Sequence, residues 1–204
     1  MKTAYVTTLE AMRAKAVRWV CAARSVDKTR ETINGLRLET SAEGSRTLVA
    51  TDGRRMHAMP VTGWDLPEDG VWRVRTVRGM GEVWDKMDAT YPKWITALEF
   101  RESRALRAFA IPTESAAVLL SRSALLGATI NPAFASAACA HPACLLEIAV
   151  DTEGGRYARS AVRATFEDGR IALLMPLRDE HLASAMAAAD QLRYQAKHAA
   201  PEAA

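Results

Sequence analysis

Apolar residues recur at Leu9, Met12, Ala16, Trp19, Val20 and Ala23, the spacing that gathers side chains on one side of a helix. Arg13, Lys15, Arg18 and Arg24 fall on the other side, and Thr7 or Thr8 suits the cap at its start. The period then shortens to two. Leu36, Leu38 and Thr40 alternate with Arg37 and Glu39, which predicts a strand with one face inward. Ala42-Glu43-Gly44-Ser45 reads as a turn and Arg46 to Thr51 as the partner strand. Asp52-Gly53 closes the next hairpin, because glycine accepts the positive φ that tight turns impose. Arg54 to Val61 runs back, so Tyr5 to Val61 has the order β-α-β-β-β.

A Pro-, Gly- and Asp-rich loop, Thr62 to Gly70, leads into a similar pattern. Val71 to Val77 alternates as a strand, and Gly79 to Met87 is predicted to be a helix with Val83, Trp84 and Met87 on one side. Trp94 to Phe100, Ala105 to Ile111 and Ser115 to Leu120 are expected to supply three strands. A third copy begins at Leu125 or Leu126. Its helix opens at Asn131-Pro132, where proline costs nothing because the first helical N–H has no partner anyway. Leu145 to Val150, Ser160 to Phe166 and Arg170 to Pro176 complete it, with Asp168-Gly169 as a hairpin turn. After Arg178, Leu182, Met186, Ala189 and Leu192 predict a helix of about five turns. The Ala- and Pro-containing tail beyond it is expected to lack order.

Composition sharpens this only a little. The 204 residues suffice for one or two domains, and 49% hydrophobic with 25% charged residues is globular usage. No run approaches the roughly 18 uncharged apolar residues of a membrane span, and the first residues lack the apolar core of a signal peptide. Three cysteines without framework spacing favour a reducing, cytoplasmic setting. A net charge of +3 permits contact with nucleic acid without demanding it.

Three segments carry a resemblance. Ala23-Arg24-Ser25-Val26-Asp27-Lys28-Thr29-Arg30-Glu31-Thr32-Ile33-Asn34-Gly35-Leu36-Arg37-Leu38-Glu39 continues to Leu48-Val49-Ala50-Thr51-Asp52-Gly53-Arg54-Arg55-Met56. This resembles the stretch opening the middle domain of the bacterial DNA sliding clamp, the β subunit of DNA polymerase III, with its Leu-Asn-Gly and its Ala-Thr-Asp-Gly-His-Arg-Leu hairpin. Asp88-Ala89-Thr90-Tyr91-Pro92-Lys93-Trp94 is similar to that family's interdomain linker. Asn131-Pro132-Ala133-Phe134 and Leu173-Leu174-Met175-Pro176-Leu177-Arg178 resemble its last helix start and its Met-Pro-Met-Arg-Leu ending.

The resemblance implies an α+β DNA-clamp fold built from repeated β-α-β-β-β units, with a C-terminal helix added. Residues 1–122 would form a clamp-type domain of two units, 123–178 a further half-domain, and 179–204 a helical extension with a disordered end. It also implies a non-catalytic processivity factor that tethers a DNA polymerase or repair protein to double-stranded DNA. The alternative is an adaptor or inhibitor that binds polymerase or host-clamp peptides without encircling DNA. The matching pocket for hydrophobic peptides would be Ile33, Thr51, Gly53, Arg55, Met56, Leu173 and Met175. Aliphatic and Met side chains suit such a site because they repack around different apolar anchors. DNA contact would fall to Arg30 and, on or just after the first helix, to Arg13, Arg18 and Arg24. A clamp loader and further copies of the chain would be additional partners.

The sequence also departs from the family. It is too short for three domains of two units each, and its gap from hairpin to Tyr91-Pro92 is shorter. Tyr91-Pro92-Lys93-Trp94 is therefore either a linker or the start of a strand. Arg54 replaces a His, Met56 a Leu, and Glu31 and Thr32 a pair of aromatics. Within the added helix, Asp190-Gln191-Leu192-Arg193-Tyr194 loosely resembles a clamp-binding peptide; the helix either covers the pocket or packs on the body.

Signs of catalysis are weak. Cys139-Ala140-His141-Pro142-Ala143-Cys144 has no second pair to complete a tetrahedral zinc site. Gly79-Met80-Gly81 lacks the third glycine of a dinucleotide loop, and no Gly-x-Ser-x-Gly elbow occurs. No catalytic residue, metal or cofactor is expected.

Overall fold

The computed structural model describes residues 4–7, 11–78, 81–98, 103–109, 115–126, 128–140, 145–151 and 161–177, with the backbone alone for several of the outer segments. The order is β1 (Ala4–Thr7), α1 (Ala11–Cys21), β2 (Leu36–Thr40), β3 (Arg46–Thr51), β4 (Arg55–Pro60), β5 (Gly70–Val77) and β6 (Gly81–Met87). There follow β7 (Ser103–Phe109), α2 (Ser115–Leu125), α3 (Pro132–Ala138), β8 (Leu145–Asp151), β9 (Val162–Phe166) and β10 (Ile171–Leu174). The strands join one 10-stranded sheet in the order β1-β6-β5-β2-β3-β4-β10-β9-β8-β7, and each pairing is antiparallel.

The first unit, β1-α1-β2-β3-β4, has the order its periodicity predicts. Its turns are held by Gly44 at φ 81° and Gly53 at φ 85°, and Gly169 at φ 82° does the same between β9 and β10. These are left-handed conformations that a Cβ would strain. At α3, Asn131 Oδ1 accepts from the Ala133 N–H at 2.8 Å and Pro132 occupies the first turn, the expected start.

Three expectations are overturned. Gly79 to Met87 contains strand β6 rather than a helix. β6 lies inside the sheet between β1 and β5, and Glu82, Val83 and Trp84 are buried in succession. Burial on both faces erases the two-residue period and lets Val83, Trp84 and Met87 imitate a helical stripe. β5 and β6 pair directly as antiparallel neighbours, so this stretch does not open a second β-α-β-β-β unit. Ser115 to Leu120 is the opening of α2, not a strand, since a short continuous apolar run does not distinguish the two. Trp94 to Phe100 is not a strand either: Ile95–Leu98 makes a 3-10 turn, and residues 99–100 lie outside the described set. Tyr91-Pro92-Lys93-Trp94 is thus a linker. The expected helix from Leu182 to Leu192 also lies outside the described residues.

The sheet has two working faces. On one, α1 lies over β3 and β4, α3 over β10 and α2 near β8. Val17, Trp19 and Val20 of α1 close there on Leu36, Leu48, Ala50, Val162 and Leu174. On the other face a smaller cluster, Val49, Met56, Ala58, Ala161 and Leu173, is covered by Tyr91 and Trp94 from the linker. Strand alternation explains the division: Leu48, Ala50, His57, Ala172 and Leu174 point to the helices, and their neighbours point away.

The chain's two halves meet where β4 pairs with β10. Trp19 Nε1 donates to the Ala138 carbonyl at 2.7 Å, tying α1 to α3 across that seam. The His57 ring stacks on Trp19 at 4.2 Å between centroids, and its Nδ1 lies 2.7 Å from the Trp19 carbonyl oxygen. Arg170 places its guanidinium 4.9 Å from the Trp19 ring and 4.8 Å from the Phe166 ring, with Nε 2.6 Å from Asp168 Oδ2. Burial, with lesser help from Arg55 and Arg170, pushes the His57 pKa down to about 4, so the imidazole is neutral at physiological pH.

Candidate groove between the Thr-Asp-Gly turn, strand β10 and the linker

The turn after β3 is stapled by its own side chains. Thr51 Oγ1 donates to the Arg55 carbonyl at 2.7 Å and accepts from the Gly53 N–H at 3.0 Å. Asp52 Oδ1 accepts from the backbone N–H groups of Arg54 and Arg55 at 2.8 and 2.9 Å. Its other oxygen lies 3.0 Å from Arg55 Nε. The short polar residues thereby satisfy a turn that would otherwise be loose.

Strand β10 leaves the sheet beside this turn, and the Met175 N–H donates to the Arg54 carbonyl at 2.8 Å. The linker supplies the third wall. Trp94 Nε1 donates to Glu39 Oε2 at 3.1 Å, while Arg37 Nε lies 3.4 Å from the same oxygen. Tyr91 is half-buried below it. Burial raises the pKa of its phenol well above the ordinary value, against an opposing pull from the Thr51 backbone.

These walls enclose a groove of about 680 Å³. Ile33, Thr51, Gly53, Arg55, Met56, Leu173 and Met175, the residues expected to share a pocket, all line it. Arg30, Arg54, Pro92, Lys93, Trp94, Ala97 and Ala161 line it as well. Arg54 belongs to the hairpin that carries the resemblance, where it replaces a His. Pro92, Lys93, Trp94 and Ala97 enter through the adjacency of the linker to the turn, and Ala161 from just before β9; periodicity carries no trace of either. A further hollow of about 570 Å³, lined by Arg37 and Glu39 among others, lies along the same linker.

Structural comparison decides the fold. A DNA polymerase III β subunit from Borrelia burgdorferi, solved with a natural product, superposes with a TM-score of 0.59 at 12% identity, covering 87% of this chain and 64% of that one. The β subunit from Thermotoga maritima gives a TM-score of 0.57 at 15% identity, covering 87% and 65%. The DNA polymerase sliding clamp from Caulobacter crescentus gives 0.55 at 16%, again covering 87% and 65%. This chain has the fold of a bacterial sliding clamp. It spans under two thirds of the length of those clamps. No protein-family model matches the sequence, and no curated protein matches it.

The arginines expected to meet DNA in this clamp fold are scattered and engaged. Arg30 lines the groove and gives an N–H from Nη1 to the Asp52 carbonyl at 3.0 Å. Arg24 donates to the Val74 carbonyl at 3.1 Å, and Arg13 sits 5.4 Å from the centre of the Trp64 ring. Arg18 is exposed, and its charge reaches the buried Glu82 carboxyl, whose pKa is raised by burial and partly offset by that arginine. Of the cysteine segment, Cys139 is buried and its thiol is pushed up to about 12 by burial; residues 141–144 lie outside the described set. No group of three or more potential ligands gathers to hold a metal among the described residues. No helix among them is long and apolar enough to cross a membrane.

Proposed function

We propose that this chain is a non-catalytic clamp-type accessory protein that docks short apolar peptide segments of a DNA polymerase or repair protein and keeps them at duplex DNA. One observation carries the reading. Residues from β4 and β10, more than a hundred positions apart in the chain, and from the linker between them converge on one open apolar groove. A floor of Ile33, Met56, Leu173 and Met175 has the adaptability that binding several partners through one site calls for.

The test is a fluorescence-anisotropy titration of the intact chain with a labelled peptide built on a Leu-Ala-Leu-Phe core. Saturable binding is expected, and Met175→Asp, at a half-buried floor position beyond the end of β10, should abolish it while circular dichroism stays native. Binding that survives Met175→Asp means that the peptide sits elsewhere.

A second reading, an adaptor that does not encircle DNA, is favoured by the engagement of Arg13, Arg24 and Arg30 within the fold. Among the described residues β1 and β7 are the edge strands and have no further strand paired to them, an arrangement that offers backbone for assembly with further copies. Sedimentation equilibrium separates the two: a stable oligomer supports the ring, and a monomer at tens of micromolar supports the adaptor.

A further inference from the structure

The groove has an apolar floor and a rim of one sign. Arg30, Arg54 and Lys93 are all exposed at its edge, and no aspartate or glutamate is among its lining residues. Arg55 also lines it but is held between Asp52 and the Phe134 ring, which lies 4.6 Å from its guanidinium. Arg54 and Lys93 make no ion pair among the described residues. Arg30 spends one N–H on a carbonyl, and its charge reaches Asp27, outside the groove.

We propose that the groove selects peptides whose apolar anchors are flanked by carboxylates. The inference rests on the peptide-docking reading above and names the chemistry of its partner. Arg54 and Lys93, cations without an ion pair among the described residues at the rim of an apolar hollow, attract an approaching anion and repel a cationic flank. A neutral flank leaves them hydrated and gains nothing. Nucleic acid has the matching sign, but its phosphodiester backbone makes no use of Ile33, Met56 and Leu173.

Three labelled peptides sharing the Leu-Ala-Leu-Phe core, flanked by aspartates, asparagines or lysines, test this on the intact chain. The aspartate form should bind about five- to tenfold tighter than the asparagine form near 0.1 M salt, as a few exposed ion pairs would give. The lysine form should be weakest, and the preference should shrink toward 0.5 M salt as screening grows. In a double variant, Arg54→Gln with Lys93→Gln, the ratio should fall to within about twofold of unity. Equal affinities for all three peptides, or a ratio unchanged in the double variant, overturn the proposal while leaving peptide docking intact. Failure of every peptide to bind overturns both. A 20-base-pair duplex that displaces the aspartate peptide, and loses its own binding in the double variant, would show that these cations serve phosphates and would also overturn the proposal.

Discussion

Met56 of β4 and Leu173 of β10 stand opposite each other in register, and both face the groove rather than the helices. This pair joins the two halves of the chain and forms the groove's floor at the same point. Each is nearly buried, so their contribution to stability is coupled. A double-mutant cycle of Met56→Ala and Leu173→Ala, followed by urea denaturation, should give a coupling energy of about 0.5–1.5 kcal/mol. Additivity within about 0.3 kcal/mol would mean the pair does not pack as described.

His57 predicts the pH dependence of stability. Its pKa is lowered in the folded chain, from 6.5 to about 4, so the unfolded chain binds more protons between those values. The stability it contributes is therefore complete above about pH 6.5 and is lost as the pH falls toward 4, by about 3 kcal/mol. His57→Phe should keep the stack on Trp19 and flatten this part of the profile, measured by urea midpoints across the range. An unchanged slope in that variant would locate the dependence in other groups.

Gly35 sits at the mouth of β2 with no room for a side chain. A Cβ there would come within 2.7 Å of Met87 Sδ, 2.9 Å of Val71 Cγ1 and 3.0 Å of the Trp72 carbonyl oxygen. The last is backbone and gives way only if β5 shifts. Gly35→Ala should cost about 1–3 kcal/mol in thermal or urea unfolding, whereas Gly44→Ala meets no neighbour and should show only the strain of its positive φ.

Glu39 acts on the groove at one remove, through Trp94. Glu39→Ala removes the acceptor that holds the indole N–H and leaves the linker wall looser. Peptide affinity should fall about threefold, consistent with the loss of one charge-assisted hydrogen bond partly open to water. Global stability should change little, and Glu39→Gln, which keeps an acceptor, should restore most of the affinity.

The β3-turn-β4 hairpin was legible because its signals are local: alternation on either side and Thr-Asp-Gly between. The helix at Asn131-Pro132 was legible for the same reason. β6 is not legible as a strand because both its faces are buried, nor α2 as a helix because a short apolar run has no period to show. Ile33, Met56, Leu173 and Met175 were reachable as a set through resemblance to a known family, not through burial pattern, which would file them as core. Lys93 is not legible as a rim residue, since a charge in a sequence does not say which hollow it borders, whereas Arg54 stands in the hairpin that carries the resemblance. Arg24, read from the basic side of the first helix, and Arg30, read from the family resemblance, each give one N–H to a backbone carbonyl, a contact that no charge pattern in a sequence announces.

The β4–β10 seam sets a schedule for biosynthesis. β4 is complete by Pro60, yet its partner is encoded more than a hundred codons later. At about 5–20 residues per second, several seconds pass on the ribosome during which Met56 has no Leu173 to face. A nascent or prematurely terminated chain ending before β10 therefore carries half a floor, no closed groove and an unpaired strand edge. Such a product presents an open strand edge that can pair with another chain instead of with β10.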